Sequence, residues 1–132
     1  LHPATVATAK QDHPVAHLIE AGADMFVMPS RYEPCGLNQL YSLRYGTVPI
    51  VHKTGGLADT LQLFNSRTGR GTGFPFDNHD AQGLTWGIQA ALAHYKDPAT
   101  WRKVMQSGMA QDFSWAVQAK QYEQLYERLQ RL

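Results

Sequence analysis

Asp24-Met25-Phe26-Val27-Met28-Pro29-Ser30-Arg31-Tyr32-Glu33-Pro34-Cys35-Gly36-Leu37 reads as a strand, a loop and the opening of a helix. Asp24 to Met28 is a nearly continuous apolar run, as expected of a parallel strand with both sheet faces covered. Pro29 to Gly36 is a loop. Leu37 to Tyr45 is helical in pattern, mostly apolar through Leu37, Leu40, Tyr41 and Leu43, with Gly46 as the stop. Strand, loop and helix in that order form half of a βαβ unit, and the remaining chain supplies the rest.

Upstream, Ala4-Thr5-Val6-Ala7-Thr8 is short and β-branched, a strand candidate. His13-Pro14 starts a helix that carries Val15, Leu18 and Ile19 on one face and stops at Gly22. Downstream, Val48-Pro49-Ile50-Val51 is a strand whose proline predicts a strand start or an edge. Gly55-Gly56 turns into a helix expected to run through Leu57, Leu61 and Phe64. Asn65 to Asp80 is loop-rich, with Gly73-Phe74-Pro75-Phe76 as a small strand. Helices follow, opened by Asp80, Asp97-Pro98 and Ser114. The first carries Leu84, Ile88, Ala91, Leu92 and Tyr95; the last carries Ala119, Tyr122, Leu125, Leu129 and Leu132. The expected fold is α/β, a Rossmann-like parallel sheet. Strand–helix alternation covers about residues 1–80 and helices about residues 81–132 of one domain.

The 132 residues are 43% apolar, enough to bury a core. Twelve Lys and Arg balance eleven Asp and Glu, so no electrostatic argument points to nucleic acid or to an acidic membrane. Cys35 is the one cysteine, which excludes an intrachain disulfide. No apolar run approaches the length of a membrane span, and the N-terminus lacks the sections of a signal peptide. A soluble, cytoplasmic protein is the expectation, or a plastid one in a plant or alga.

In a parallel sheet, ligands bind at the carboxyl ends of strands. There Gly36 allows close approach, and the N–H groups around Cys35, Gly36 and Leu37 are the free donors of a helix start. Glu33 beside them repels phosphate but accepts hydrogen bonds from hydroxyls. Donors for a phosphate and an acceptor for a sugar ring together suggest a phosphorylated sugar. A loop with a helix-capping glutamate is the alternative. Lys53-Thr54-Gly55-Gly56-Leu57 repeats the design after the next strand, and two such turns facing one crevice weigh more than either alone. His13 and His17 have i, i+4 spacing without an H-E-x-x-H pattern, so no metal is expected. No Cys–His spacing supports Cys35 as a nucleophile. Core packing is the reading of Trp86, Trp101 and Trp115, with a sugar platform as the alternative.

Three blocks carry a resemblance: Ser30 to Tyr41, Arg44-Tyr45-Gly46-Thr47-Val48-Pro49, and Thr54-Gly55-Gly56-Leu57-Ala58-Asp59-Thr60. With Gly71-Thr72-Gly73-Phe74, Trp101, Met109 and Asp112-Phe113-Ser114-Trp115, the chain resembles the bacterial glycogen synthase and plant starch synthase family over roughly residues 15–131. That resemblance implies a retaining glucosyltransferase that moves glucose from ADP-glucose to the non-reducing end of an α-1,4-glucan and needs no further cofactor. It also implies the later part of the C-terminal domain of a two-domain GT-B fold, with the N-terminal domain as partner across the cleft. Glu33 matches the glutamate that holds the donor glucose. Cys35 and Gly36 match backbone contacts to the sugar, Leu37 lies by the phosphate, and Thr54, Gly55 and Gly56 line the same cleft. The family's early arginine and lysine would fall before Leu1. Gln11 stands where the family can carry a tyrosine that stacks on adenine. The 132-residue chain alone is expected to be inactive, because the other half of the cleft belongs to the N-terminal domain. A non-catalytic glucan- or nucleotide-binding module, or a transferase using another nucleotide sugar, are the alternatives.

Overall fold

The computed structural model describes residues 13–131. The strand expected over Ala4–Thr8, and Gln11, lie outside them. In chain order the elements are α1 (His13–Gly22), β1 (Met25–Met28), α2 (Asn38–Tyr45), β2 (Val48–His52) and α3 (Gly55–Thr60). Then come β3 (Phe74–Phe76), α4 (Ala81–Tyr95), α5 (Pro98–Met109) and α6 (Trp115–Leu129). The three strands form one parallel sheet in the order β1-β2-β3. Met25 pairs with Val48 and Met28 with Val51, while Ile50 pairs with Phe74 and His52 with Phe76.

Strand β2 is buried along its whole length, and its period-2 alternation separates two cores. Val48 and Ile50 point toward Phe74, Phe76, Ala91, Trp101 and Val104, so this side is closed by α4 and α5. Val51 points the other way, toward Leu43, Leu57 and Leu61, closed by α2 and α3. Phe74 stacks on Trp101 with ring planes 6° apart. The thickness of the layer rests on such pairs: full burial of one such side chain contributes about 1.5–3 kcal/mol.

Helix boundaries follow local chemistry. The Asp80 carboxylate accepts the Gly83 N–H at 2.7 Å and starts α4; Asp97 accepts the Ala99 N–H at 3.1 Å and starts α5. The Thr47 hydroxyl donates to the Glu20 and Ala23 carbonyls, satisfying the end of α1. Burial pushes the Glu20 carboxyl above its ordinary range, against the pull of nearby His17.

Several expectations need correction. Pro49 does sit near a strand start, but β2 is the central strand. The proline is tolerated because the β2–β3 ladder begins only at Ile50. Val27 is 42% exposed, so β1 is not covered on both faces by the described residues. Helix α2 turns Gln39, Ser42 and Leu43 inward, whereas Leu37 and Tyr41 are exposed. Helix α3 ends at Thr60, and Leu61 is already extended. Leu61 belongs to one core and Phe64 to the other, so the chain passes from one face of the sheet to the other between them. No helix carrying both on one face could do that. Ser114 makes no side-chain cap; its own N–H donates to Asp112 at 2.8 Å. Helix α6 buries none of its residues, and the stripe through Tyr122, Leu125 and Leu129 is exposed. On α4, Leu92 and Tyr95 also face outward.

Candidate functional site

The parallel sheet points the ends of β1, β2 and β3 to one edge. The loop after β1 holds Glu33, Cys35, Gly36 and Leu37; the turn after β2 holds Thr54, Gly55 and Gly56. The structure brings both turns together, backbone against backbone. The Gly56 N–H donates to the Glu33 carbonyl at 3.0 Å. A Cβ on Gly55 would overlap that carbonyl oxygen, and one on Gly56 would overlap Cys35, whose Cα would lie 2.6 Å away. Only glycine permits this approach. Real Cβ atoms do not come that near to a neighbouring backbone.

The N–H groups of Cys35, Gly36 and Leu37 make no hydrogen bond within the described residues, and α2 begins at the next residue. They keep the donors of a helix N-terminus available. Glu33 is half-buried, and its carboxylate has no partner among the described residues. It is free to accept hydrogen bonds from hydroxyl groups. Cys35 is exposed as a free thiol, and Leu37 is 55% exposed. The arrangement offers donors to an anionic group and, beside them, an acceptor for a polyol.

Sequence reasoning missed the residues that hold these turns. Gln39 is fully buried. Its Nε2 donates to the Cys35 and Gly36 carbonyls, each at 3.0 Å, and lies 3.4 Å from the Thr60 hydroxyl. Thr60 in turn donates to the Gly56 carbonyl at 2.7 Å. One amide thus joins the first turn to the helix that follows the second. The signal was present: Gln39, Ser42, Leu43 and Gly46 recur at helical spacing, and these positions form the inward face. The base of the first loop is held by two imidazoles. His52 donates from Nδ1 to the Ser30 carbonyl at 2.8 Å, and His79 from Nε2 to the Pro29 carbonyl at 3.1 Å. Their rings meet edge to face, 4.9 Å apart.

No group of three or more metal-ligating side chains occurs among the described residues. His17 lies 3.4 Å from the Tyr45 hydroxyl and packs against Tyr41. Only Trp101 of the three tryptophans is in the core; Trp86 is 48% and Trp115 78% exposed. Core packing therefore fails for two of them. Among the described residues, no helix is long and apolar enough to cross a membrane.

An open parallel sheet with glycine turns at adjacent strand ends defines an α/β ligand-binding domain of the Rossmann kind. The chain belongs to the glycosyl transferases group 1 family, whose profile matches residues 4–107. The glycogen synthase of Koribacter versatilis is 56% identical over 117 residues, 89% of this chain and 24% of that protein. Among solved structures, the catalytic domain of starch synthase IV from Arabidopsis thaliana, bound to ADP and acarbose, superimposes with a TM-score of 0.81. Identity to it is 41%, over 90% of this chain and 25% of that one. Sucrose-phosphate synthase from Thermosynechococcus elongatus gives a TM-score of 0.67 and 32% identity, over 92% of this chain and 29% of that one. The chain thus spans about a quarter of the length of the relatives it matches. The expected fold, a Rossmann-like parallel sheet from part of a GT-B glycosyltransferase, agrees with these matches.

Proposed function

We propose that this chain supplies the donor-sugar side of a glucosyl transfer site. The reaction is transfer of glucose from ADP-glucose to the non-reducing end of an α-1,4-glucan. The observation that carries the reading is the contact between the two strand-end turns, sealed by the Gly56–Glu33 hydrogen bond. It anchors the backbone of Glu33 two residues before the free N–H donors that begin at Cys35. Glu33 would accept hydrogen bonds from the glucose hydroxyls. The N–H groups of Cys35, Gly36 and Leu37 would face the phosphate nearest the sugar, where negative charge grows as ADP leaves. Thr54, Gly55 and Gly56 would wall the same crevice. Glu33 has an orienting role here, and catalysis rests on positioning and on stabilisation of the leaving diphosphate. No cofactor beyond the donor is invoked. A GT-B N-terminal domain across the cleft would bring the acceptor, and the cytoplasm is the proposed location.

The test is a chimera in which this chain replaces the homologous segment of the Koribacter versatilis glycogen synthase. Glucose incorporation into glycogen should be retained in the chimera and lost in its Glu33→Ala form. Near-equal turnover of the two would remove Glu33 from the site. The likeness to sucrose-phosphate synthase supports a second reading, in which the donor carries another nucleotide. Competition between ADP and UDP for the chimera separates the two.

A further inference from the structure

We infer that Trp86 forms a separate binding platform for an α-glucan chain, flanking the turns described above. The inference rests on the proposed glucan chemistry for its choice of saccharide. Trp86 lies on the second turn of α4 and is 48% exposed, with no aromatic partner among the described residues. It does not join either core, so packing among the described residues gives no account of an indole at this position. It borders a cavity of about 380 Å³ together with Phe76, Asp77, Asn78, Gln82 and Gly83.

The lining is of a particular chemical kind. Trp86 and Gln82 are one helical turn apart, so both present to the same face of α4. The Asp77–Asn78 loop approaches from the end of β3. Gly83 lets it press against the helix, since a Cβ there would overlap the Asn78 carbonyl and lie 3.2 Å from the Phe76 ring. The result is one aromatic plane edged by two amides and a carboxylate. A pyranose ring has an apolar C–H face and a rim of hydroxyls that both donate and accept. The indole fits the face; the amides and carboxylate fit the rim. A neutral ligand is favoured because the one close charge, Asp77, is already paired with Lys53 at 3.5 Å. That pair also fixes where the platform sits. Lys53 begins the second turn, and Asp77 follows β3, so the cavity adjoins the ligand edge of the sheet. A glucan held on Trp86 would be kept beside the transfer site without entering it.

The experiment uses the 132-residue chain and maltoheptaose, followed by ¹H–¹⁵N NMR. The Trp86 indole N–H and the Asn78 and Gln82 side-chain amides should shift saturably, while the Trp115 indole, which is more exposed, stays still. Trp86→Ala should weaken binding about tenfold or more, and should lose retardation in a glycogen-containing gel; Trp115→Ala should keep both. Alanine favours helix, and the side chain removed is half-exposed, so α4 is expected to persist. Trp86→Phe, which keeps an aromatic face, should retain part of the binding. Absence of a saturable shift overturns the proposal, as does equal retardation of Trp86→Ala. Shifts at Trp86 that follow protein concentration in place of oligosaccharide would assign the surface to self-association and also overturn it. A parallel titration with ADP-glucose, read at the Cys35, Gly36 and Leu37 amides, reports on the transfer site alone. Failure there leaves the Trp86 result standing, and the reverse also holds.

Discussion

Replacing Gly56 by alanine adds one methyl group at a backbone contact that leaves no room for it. The new Cβ would overlap the Cys35 carbonyl oxygen and lie 2.6 Å from its Cα and 2.7 Å from its carbonyl carbon. All three of these atoms are Cys35 backbone, so no side chain can swing away to relieve the overlap. Gly56 has no positive φ, so the cost is steric and not conformational. Relief requires the two turns to separate, which also breaks the Gly56–Glu33 hydrogen bond. Overpacking of this kind costs about 1–3 kcal/mol, and the lost bond about 1 kcal/mol more. The expected loss is therefore about 2–4 kcal/mol. Gly69→Ala is the matched control. Gly69 has φ 68° but nothing within 4 Å of an added Cβ, so its substitution tests left-handed strain alone. That should cost about 1 kcal/mol. Urea unfolding followed by tryptophan fluorescence measures both, and the Glu33 to Leu37 amides report whether the first turn moves. Gly56→Ala within about 0.5 kcal/mol of wild type, a typical surface change, would refute the close contact.

Gln39→Leu leaves the Cys35 and Gly36 carbonyls and the Thr60 hydroxyl without their shared donor; a stability loss of about 1–3 kcal/mol is expected in chemical denaturation. Phe74→Ala opens a cavity between Ile50, Phe76 and Trp101 and should cost about 3–5 kcal/mol, read as a lower urea midpoint at unchanged slope. The Thr100 hydroxyl and the Ala99 N–H hold the Asp97 carboxyl below the usual aspartate range. Its contribution is present above the unfolded value of about 3.9 and is lost as pH falls through the lower folded value. Asp97→Asn should therefore flatten the acid limb of a stability–pH curve and leave its slope near neutrality unchanged.

The parts of the fold legible in the sequence were those fixed by neighbours along the chain. Asp80 and Asp97 cap helices because an aspartate two or three residues before a free N–H can reach it without tertiary help. The strand at Val48 was readable because a buried parallel strand is apolar on both faces. The pairing of two glycine turns could be expected from topology, since both follow strands of one parallel sheet. The course of Leu61 and Phe64 was not legible: their spacing fits a helix, but their burial lies on opposite sides of the sheet. Trp86 and Trp115 match apolar stripes, yet face outward, because a stripe specifies which side is apolar and not whether anything covers it. Gln39 stayed hidden for the opposite reason. Its amide is buried by bonding to carbonyls, and hydropathy counts it as a surface residue.

The Gly56–Glu33 bond has a consequence for how this region can change. It joins main chain to main chain, so neither partner's side chain encodes it. A substitution in one turn cannot be offset by a matching substitution in the other, as a large-for-small exchange can be in a core. The two turns are therefore tied as a mechanical unit, and displacement of either by a ligand is felt at the other. Variation in what the site binds must then come from its outer rim, from Arg31 and Tyr32 on one side and the Lys53–Asp77 pair on the other, where side chains are exposed.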